Sequence, residues 1–366
     1  MAYLAFFCGL MELLIISGAS EKLAKKLSPF FSKIFPSVPK NHESVSYMTL
    51  NFAANFLGLD SAATPFGLKA MQSLQELNPE KDKASDAQIM FMCLHAAGLT
   101  LIPTSIIGYR AAANAANPAD VMLPCIITSF IGTIAAMLIV GIRQKINFLS
   151  ATLIVGLMTV ISAIAGLLFY INRLDLVEKN FFTSNLSGLM LIAIIGITLI
   201  YAFTKESKFV EQKTTIFDAF VSGAKNGLTT GVTIFPYVMG MLVAISFFRN
   251  SGLFEIMSDG ISFAFSNIGV SKQITDSLPV AMLRPFSSSG SRGFMLDAMS
   301  TFGVDSLTGR LSSIFQCSAE TTFYVIAVYF GSINVKNTRY TLGIMLLVDL
   351  ICVITAIAVA SWFFVK

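Results

Sequence analysis

Two arginines flank a serine-rich run and form the clearest anion-binding pattern in this sequence. Arg284 precedes the run at 287–289, which includes Ser288 and Ser289, and Arg292 follows it. A guanidinium binds carboxylate or phosphate oxygens through two parallel hydrogen bonds, and a helix that begins after such a run adds free N–H groups. The pattern predicts a site for an anionic group. Pairing of the arginines with nearby acidic side chains or lipid headgroups is the alternative.

A second polar group lies between residues 51 and 64. Asn51 and Asn55 are four residues apart, which places them on one helix face, and Asp60 and Thr64 follow. The amides and the Thr64 hydroxyl are predicted to bind the solute, and Asp60 with free carbonyl groups is predicted to bind Na⁺ through oxygen ligands. Hydrogen bonding between helices is the alternative.

Ionisable residues also occur inside two long apolar stretches. Glu320 and Thr321 lie in 307–331, and His95 lies in 86–112. Because charged groups are costly inside a bilayer, they usually face the protein interior or a water-filled path. Glu320 is predicted to contact the solute, bind a cation or transfer a proton, and Thr321 is predicted to contact the solute. His95 is a candidate for ion coupling, with a buried core histidine as the alternative.

Other functional classes lack their sequence signatures. The chain has two histidines, five cysteines without CxxC spacing, and no HExxH, GxSxG or Walker A motif, so we predict neither an enzyme nor a metal centre. No cofactor is predicted apart from Na⁺ or H⁺ as coupling ions. The net charge of +4 includes no basic block, which excludes nucleic acid as an expected partner.

The composition indicates the environment that must position these residues. Of 366 residues, 55% are hydrophobic and 13% charged, and the mean hydropathy is +0.73, whereas soluble domains have about 25% charged residues. Long continuous apolar stretches exclude an outer-membrane barrel. The sequence therefore predicts an all-α polytopic membrane protein in contact with the lipid bilayer.

The apolar stretches predict eight spans, and two pairs of shorter arms predict re-entrant hairpins. A pair of short helices joined by a polar break is tolerated at membrane depth only against protein or a water-filled cavity. The first hairpin has arms at 47–59 and 64–77, and the second at 275–287 and 291–302. Amphipathic helices are expected at 21–35 and 253–268. The predicted spans are 2–17, 86–112, 119–142, 148–170, 186–203, 233–248, 307–331 and 340–364.

The order of these elements repeats within the chain. Counting spans places the second copy in the opposite orientation, so we expect two inverted gate-type repeats at 1–143 and 186–366, with a connecting span and loop at 144–185. Lysine and arginine concentrate on the side reached after the first span, which is predicted to be cytoplasmic. The first span is expected to be retained, since no basic segment precedes it. Five pairs of positions correspond: 18 with 252, 51 with 284, 71 with 299, 100 with 321, and 117 with 337.

The longest motifs resemble a known family. The run LNFAANFLGLDSAATPFGLKAM at 50–71, with LTLIPT at 99–104, resembles spore maturation protein A. The runs MLRPFSSSG at 282–290 and SAETTFYVIAVYFG at 318–331 resemble spore maturation protein B. The chain is therefore similar to a fused A–B form. The resemblance implies membership of the nucleoside-recognition or gate-domain superfamily, whose transporters move small polar or charged solutes through paired hairpin-bearing repeats.

These observations lead to one functional prediction and one alternative. We predict a multi-pass transporter of the cytoplasmic (inner) membrane that moves a small polar, anionic solute by alternating access between the hairpins. The alternative is a non-transporting membrane scaffold or partner protein in envelope or spore-type maturation. Whether the chain forms a homo-oligomer stays open at this point.

Overall fold

The computed structural model describes residues 2–39, 42–56, 60–101, 103–148, 150–171, 173–174, 176–252, 256, 260 and 271–365. The described chain is helical, and within these ranges the extended structure is limited to one isolated bridge between Lys83 and Asn337. The predicted amphipathic segment 253–268 falls almost wholly outside the described residues.

In the described ranges, eleven helices precede the gap at 261–270. They are α1 (Ala2–Ile16), α2 (Ala19–Ile34), α3 (Glu43–Phe56), α4 (Asp60–Leu77), α5 (Asp86–His95), α6 (Thr104–Ala112), α7 (Met122–Arg143), α8 (Ala151–Ile171), α9 (Leu176–Thr204), α10 (Glu206–Glu211) and α11 (Ile216–Asn250).

Six helices among the described residues follow it. They are α12 (Lys272–Thr275), α13 (Leu278–Leu283), α14 (Ser288–Phe302), α15 (Leu307–Cys317), α16 (Thr322–Gly331) and α17 (Thr341–Phe364). Of the described helices, α7 and α17 are long and apolar enough to cross a membrane.

Two predicted spans are each divided into two helices. Span 86–112 consists of α5 and α6, separated by residues 96–103, and span 307–331 consists of α15 and α16, separated by residues 318–321. The first break includes Gly98, whose φ of 54° is in the left-handed region that glycine favours. Pro103 stands immediately before α6, a position where the missing N–H of proline costs no helical hydrogen bond.

The arms of the two expected hairpins differ in extent from the prediction. α4 begins at Asp60, so residues 60–65 form the start of a helix rather than the connection. The second connection is also shorter, because Ser287 caps α14 by accepting a hydrogen bond from the Gly290 N–H at 3.0 Å. Both pairs of helices pack arm against arm.

Two pairs of helices, α1 with α11 and α7 with α17, pack antiparallel. Ile16, near the end of α1, clusters with Ile216 at the start of α11. Arg143 at the end of α7 stacks on Tyr340 immediately before α17, with 4.3 Å between the guanidinium carbon and the ring centroid. Leu123 at the start of α7 clusters with Phe363 at the end of α17.

One predicted span is much longer than expected. The prediction placed a span at 233–248, whereas α11 begins at Ile216. The added segment lies against α1, and a Cβ atom on Gly223 would be 2.6 Å from the Cys8 carbonyl oxygen. The absent side chain therefore permits close approach of the two helices.

Candidate functional site

A cavity of about 280 Å³ lies where the breaks of the two divided spans meet. The Glu320 N–H donates to the Ala96 carbonyl at 2.9 Å, so the breaks are hydrogen-bonded to each other. A Cβ atom on Gly98 would lie 3.2 Å from the Cys317 carbonyl oxygen. The cavity is therefore lined by backbone and side chains from both halves of the chain.

The beginnings of four helices contribute to the cavity lining. The lining residues include Ala63 in α4, Thr104 in α6, Ser288 in α14 and Tyr324 in α16. The first N–H groups of a helix have no intrahelical acceptor and stand at the positive end of the helix dipole. Helix C-termini also reach the cavity, at Asn55 in α3, His95 in α5 and Gln316 in α15, so dipole ends of both signs meet there.

Arg284 is the most buried cation in the cavity lining, with 8% of its surface exposed. Its Nη1 donates to Thr321 Oγ1 at 3.0 Å, and its Nη2 lies 3.9 Å from Glu320 Oε2. Its Nε has no hydrogen-bond partner among the described residues. Because unsatisfied buried donors are costly, Arg284 retains capacity for a ligand with acceptor oxygens.

Arg292 and Glu320, which both follow Arg284 in the sequence, also line the cavity. The Glu320 side chain is 37% exposed, so its carboxylate is accessible from the cavity. The Arg292 guanidinium carbon lies 5.6 Å from the centroid of the Tyr109 ring. The two arginines and one carboxylate leave this set of side chains with a net positive charge.

The opposite wall contains an aromatic cluster around His95. The ring of His95 packs against Phe52, Phe91 and Tyr329, with centroid separations of 5.5, 4.9 and 5.5 Å respectively. Asn55 Nδ2 lies 3.4 Å from His95 Nδ1, and His95 Nε2 has no hydrogen-bond partner within the described part of the chain. His95 is thus both a buried aromatic-packed residue and part of the cavity lining.

The structure places most of the sequence-predicted site residues together. Eight of them line the cavity: Asn55, Thr64, His95, Arg284, Ser288, Arg292, Glu320 and Thr321. Three others are not among the lining residues. Asn51 is fully buried and donates to the Ala63 carbonyl at 2.6 Å, which joins the arms of the first hairpin. The Ser289 hydroxyl lies 3.4 Å from that of Ser287. Asp60 begins α4, and its side chain lies outside the described part.

Several polar lining residues with large side chains were not predicted as site residues. They are Tyr109, Gln316, Tyr324 and Tyr329. Gln316 Oε1 accepts from Ser291 Oγ at 2.6 Å, and the same hydroxyl donates to the Val280 carbonyl at 2.9 Å. This network fixes the second hairpin against α15. Gln316 could have been identified as a site residue from the sequence, since an amide inside an apolar stretch needs a hydrogen-bond partner.

A buried ionic network joins the halves at one end of the molecule. Arg110 is fully buried, and its Nη2 lies 2.8 Å from Asp120 Oδ1 and 3.0 Å from Asp305 Oδ1. Arg310 Nε donates to Asp120 Oδ2 at 2.8 Å. The pairs Arg110–Asp305 and Arg310–Asp120 each connect the first half to the second.

A more exposed contact joins the halves at the opposite end. Arg339 Nη1 lies 2.6 Å from Asp86 Oδ1, and the two side chains are 31% and 49% exposed. The Lys336 N–H donates to the Asp82 carbonyl at 3.0 Å, and the Ala84 N–H donates to the Asn337 carbonyl at 2.9 Å. The cavity lies between these two inter-half contacts along the divided spans.

Metal ligands are not grouped in the described ranges. No three His, Cys, Asp or Glu side chains there are placed to bind one metal ion.

Comparisons with known proteins match both halves. The family model described as nucleoside recognition (Gate) matches residues 1–113 and 232–336, more than half of the chain. Spore maturation protein B of Bacillus subtilis (strain 168) is 37% identical over 179 residues, covering 49% of this chain and 95% of that protein. Spore maturation protein A of the same organism is 38% identical over 139 residues, covering 38% of this chain and 71% of that protein. No solved structure matches the chain.

Proposed function

The chain belongs to the nucleoside-recognition Gate family, and we propose that it is a multi-pass membrane transporter for a small anionic solute. The solute binds in the central cavity, and the two halves expose this site alternately to the two sides of the cytoplasmic membrane. No covalent chemistry is part of this proposal. The single observation that supports it most is the buried Arg284, which lines a polar cavity at the crossing of two divided helices.

Helix lengths and surface composition support placement in a bilayer. α7 and α17 have 22 and 24 residues, which corresponds to about 33–36 Å at 1.5 Å per residue and suits a hydrocarbon core of about 30 Å. Large apolar side chains are exposed on other helices, including Val155, Ile192 and Phe247 at 64%, 68% and 79%. Lipid contact would remove this surface from water.

Paired features support an inverted repeat, with the halves at 1–143 and 186–366. Gly18 and Gly252 have φ values of 76° and 77°. The Asn117 side chain accepts from the Ala119 N–H at 3.0 Å, and the Asn337 side chain accepts from the Arg339 N–H at 2.9 Å. Because corresponding helices also pack antiparallel, a two-fold axis in the membrane plane relates the halves in this proposal.

The charges of the cavity support an anion as the solute. Arg284 and Arg292 supply guanidinium groups, which outnumber the carboxylate of Glu320 among the charged lining side chains. Glu320 lies 3.9 Å from Arg284 and serves as its counter-ion when the site is empty. An anion that enters then replaces Glu320 as the partner of Arg284. Glu320 and His95 are the two predicted ion-coupling residues whose side chains the structure describes, and in this proposal they contact the coupling ion, Na⁺ or H⁺.

Binding to the purified protein tests this function. Acetate, succinate, inorganic phosphate, uridine and sucrose are compared by the shift they cause in the thermal unfolding of detergent-solubilised protein. At least one anion should raise the unfolding temperature because it binds only the folded state. Uridine and sucrose represent neutral solutes, and stabilisation by these alone would contradict an anion site.

Substitutions of Arg284 locate the bound anion. R284Q should weaken anion binding by about 1.5–3 kcal/mol, the usual contribution of a hydrogen bond to a charged group. R284K keeps the charge but loses the planar fork, so it should bind more weakly than the wild type. R143Q is the matched control, since Arg143 is exposed at the end of α7, outside the cavity. Equal anion affinity of R284Q and the wild type would remove Arg284 from the site.

The names of the relatives support the alternative function. Both are spore maturation proteins, and a structural partner in envelope maturation would need the hairpins only for packing. Such a scaffold predicts no solute binding and no transport, so the binding assay also distinguishes the two functions.

A further inference from the structure

A second buried acid lies on α17, outside the cavity lining. Asp349 is 5% exposed and does not line the cavity. Its Oδ2 accepts a hydrogen bond from Thr322 Oγ1 at 2.7 Å. Its Oδ1 has no hydrogen-bond partner among the residues that the structure describes. An ionised carboxylate in this position would therefore have one oxygen without compensation in an apolar interior.

Three consecutive residues connect Asp349 to the cavity. Glu320 faces the cavity, and Thr321 accepts a hydrogen bond from Arg284. Thr322, the first residue of α16, donates to Asp349. A change at the solute site can therefore reach Asp349 through one short segment of backbone, the break between α15 and α16.

The charged side chains that act on Asp349 belong to the cavity lining. Arg284 and Glu320 both act on the Asp349 carboxyl electrostatically. On α17 itself, Cys352 follows Asp349 within one turn. On α7, Gly132 lies against Cys352, and the charged residue of the helix is Arg143 at its end.

Other titratable groups on the helices packed against α17 have different neighbours. Arg143 of α7 stacks on Tyr340, and Arg310 of α15 stacks on Phe364. His95 of α5 packs within its aromatic cluster. On α9, Glu178 lines a separate pocket near Phe182. Among the described side chains, Arg284 and Glu320 are therefore the charged groups through which the solute site acts on Asp349.

We propose that Asp349 is a proton-binding site coupled to the anion site, so that the proton and the solute are bound together. This inference rests on the proposed transport of an anion. The carboxylate takes a proton from hydronium, which leaves water, and the carboxylic acid returns the proton to water on release. Protonation at Oδ1 leaves Oδ2 as the acceptor for Thr322.

The sign of the coupling follows from the charge of Arg284. The guanidinium favours the ionised form of Asp349, whereas a bound anion cancels this positive potential. Anion binding therefore favours protonation of Asp349. By linkage, protonation favours anion binding to the same extent. The two species then cross the membrane in the same direction.

Infrared spectroscopy of the purified protein tests the proton site without any solute. The C=O stretch of a protonated carboxylic acid is followed as a function of pH, in H₂O and D₂O. We expect a band in the wild type that is absent in D349N, because the Asn side chain cannot form a carboxylic acid. Asn keeps the shape of Asp and the oxygen that accepts a hydrogen bond from Thr322. D86N is the control, because it removes another carboxylate, one that pairs with the exposed Arg339 and does not line the cavity.

The same titration tests the coupling. R284Q removes the positive charge as a bound anion would, so the Asp349 band should persist to higher pH in R284Q than in the wild type. T322V removes the donor to Oδ2 and should shift the frequency of the band, which assigns it independently if D349N does not fold.

Two results would overturn the inference. One is a carboxylic-acid band that is absent from the wild type or unchanged in D349N and T322V. The other is an identical pH dependence in R284Q and the wild type. Failure of all anions to bind would contradict the proposed function and leave the infrared result intact, so the two proposals fail separately.

Discussion

At the scale of single residues, Glu320 would compete with a bound anion for Arg284 under the proposed function. Its carboxylate lies 3.9 Å from Arg284, and two unit charges at about 4 Å interact by about 1 kcal/mol even at the dielectric constant of water. The charge of Glu320 therefore lowers the affinity of the cavity for an anion, while it keeps the buried guanidinium neutralised in the empty protein.

The variant E320Q should bind the anion more tightly, by about 1 kcal/mol or more. The measurement is a titration of the strongest-binding anion of the panel, with E76Q as the control because Glu76 is exposed on α4 and absent from the cavity lining. Weaker binding by E320Q would indicate that Glu320 contacts a cationic group of the solute, which a purely anionic solute does not have.

Gly98 is required where the two breaks approach each other. Its φ is 54°, and a Cβ there would lie 3.2 Å from the Cys317 carbonyl oxygen. We expect G98A to lower the free energy of unfolding by about 1–2 kcal/mol, the usual cost of the left-handed conformation for a residue with a Cβ. Unfolding in denaturant measures this cost. G343A is the control, because a Cβ on Gly343 meets nothing within 4 Å; equal effects of the two substitutions would contradict the role of Gly98.

Site residues could be predicted where their type is unusual for the surrounding sequence. Arg284 and Glu320 stand out because charges are rare in apolar stretches, and both line the cavity. Tyr329 could not be identified in this way, since a tyrosine in an apolar stretch is ordinary. Its contact with His95 depends on how α16 packs against α5, which the local sequence does not specify.

At the scale of elements, the divided spans were predictable and the full length of α11 was not. Gly98 and Pro103 mark the first break through backbone chemistry that acts locally. The start of α11 at Ile216 instead depends on packing against α1. Hydropathy averaged along the chain misses such a segment, because small residues such as Gly223 permit close packing without being strongly apolar.

The two inter-half contacts should differ greatly in their contribution to stability. D120N reduces the charge between the buried Arg110 and Arg310, and breaking a buried ionic pair costs about 3–5 kcal/mol because a charge is left without compensation. D86N alters the exposed pair with Arg339 and should cost about 0–1 kcal/mol. Unfolding of the two variants under identical conditions gives the comparison, and equal losses would show that burial does not distinguish the two ends.

At the scale of the whole molecule, the proposed inverted arrangement would place these two ends on opposite sides of the membrane. The contacts of Asp82 with Lys336 define one end, and those of Arg110 with Asp305 define the other. The excess of lysine and arginine in the sequence predicts that the first end faces the cytoplasm. Opening one end while the other stays closed is the simplest form of alternating access.

Cysteine labelling tests this topology. In a cysteine-free background, K336C should react with a membrane-impermeant reagent only from the cytoplasmic side and A116C only from the opposite side. Both positions are exposed in the structure. Labelling of both from one side would contradict the inverted arrangement of the halves.

Uptake by reconstituted protein tests the central claim, which is that an anion bound at Arg284 crosses the membrane. The strongest-binding anion of the panel is supplied in radiolabelled form to liposomes that contain wild-type protein, R284Q or R143Q, with protein-free liposomes as the baseline. We expect uptake above the baseline for the wild type and R143Q, and loss of this uptake for R284Q. Anion binding without uptake by the wild type would contradict transport and favour the scaffold.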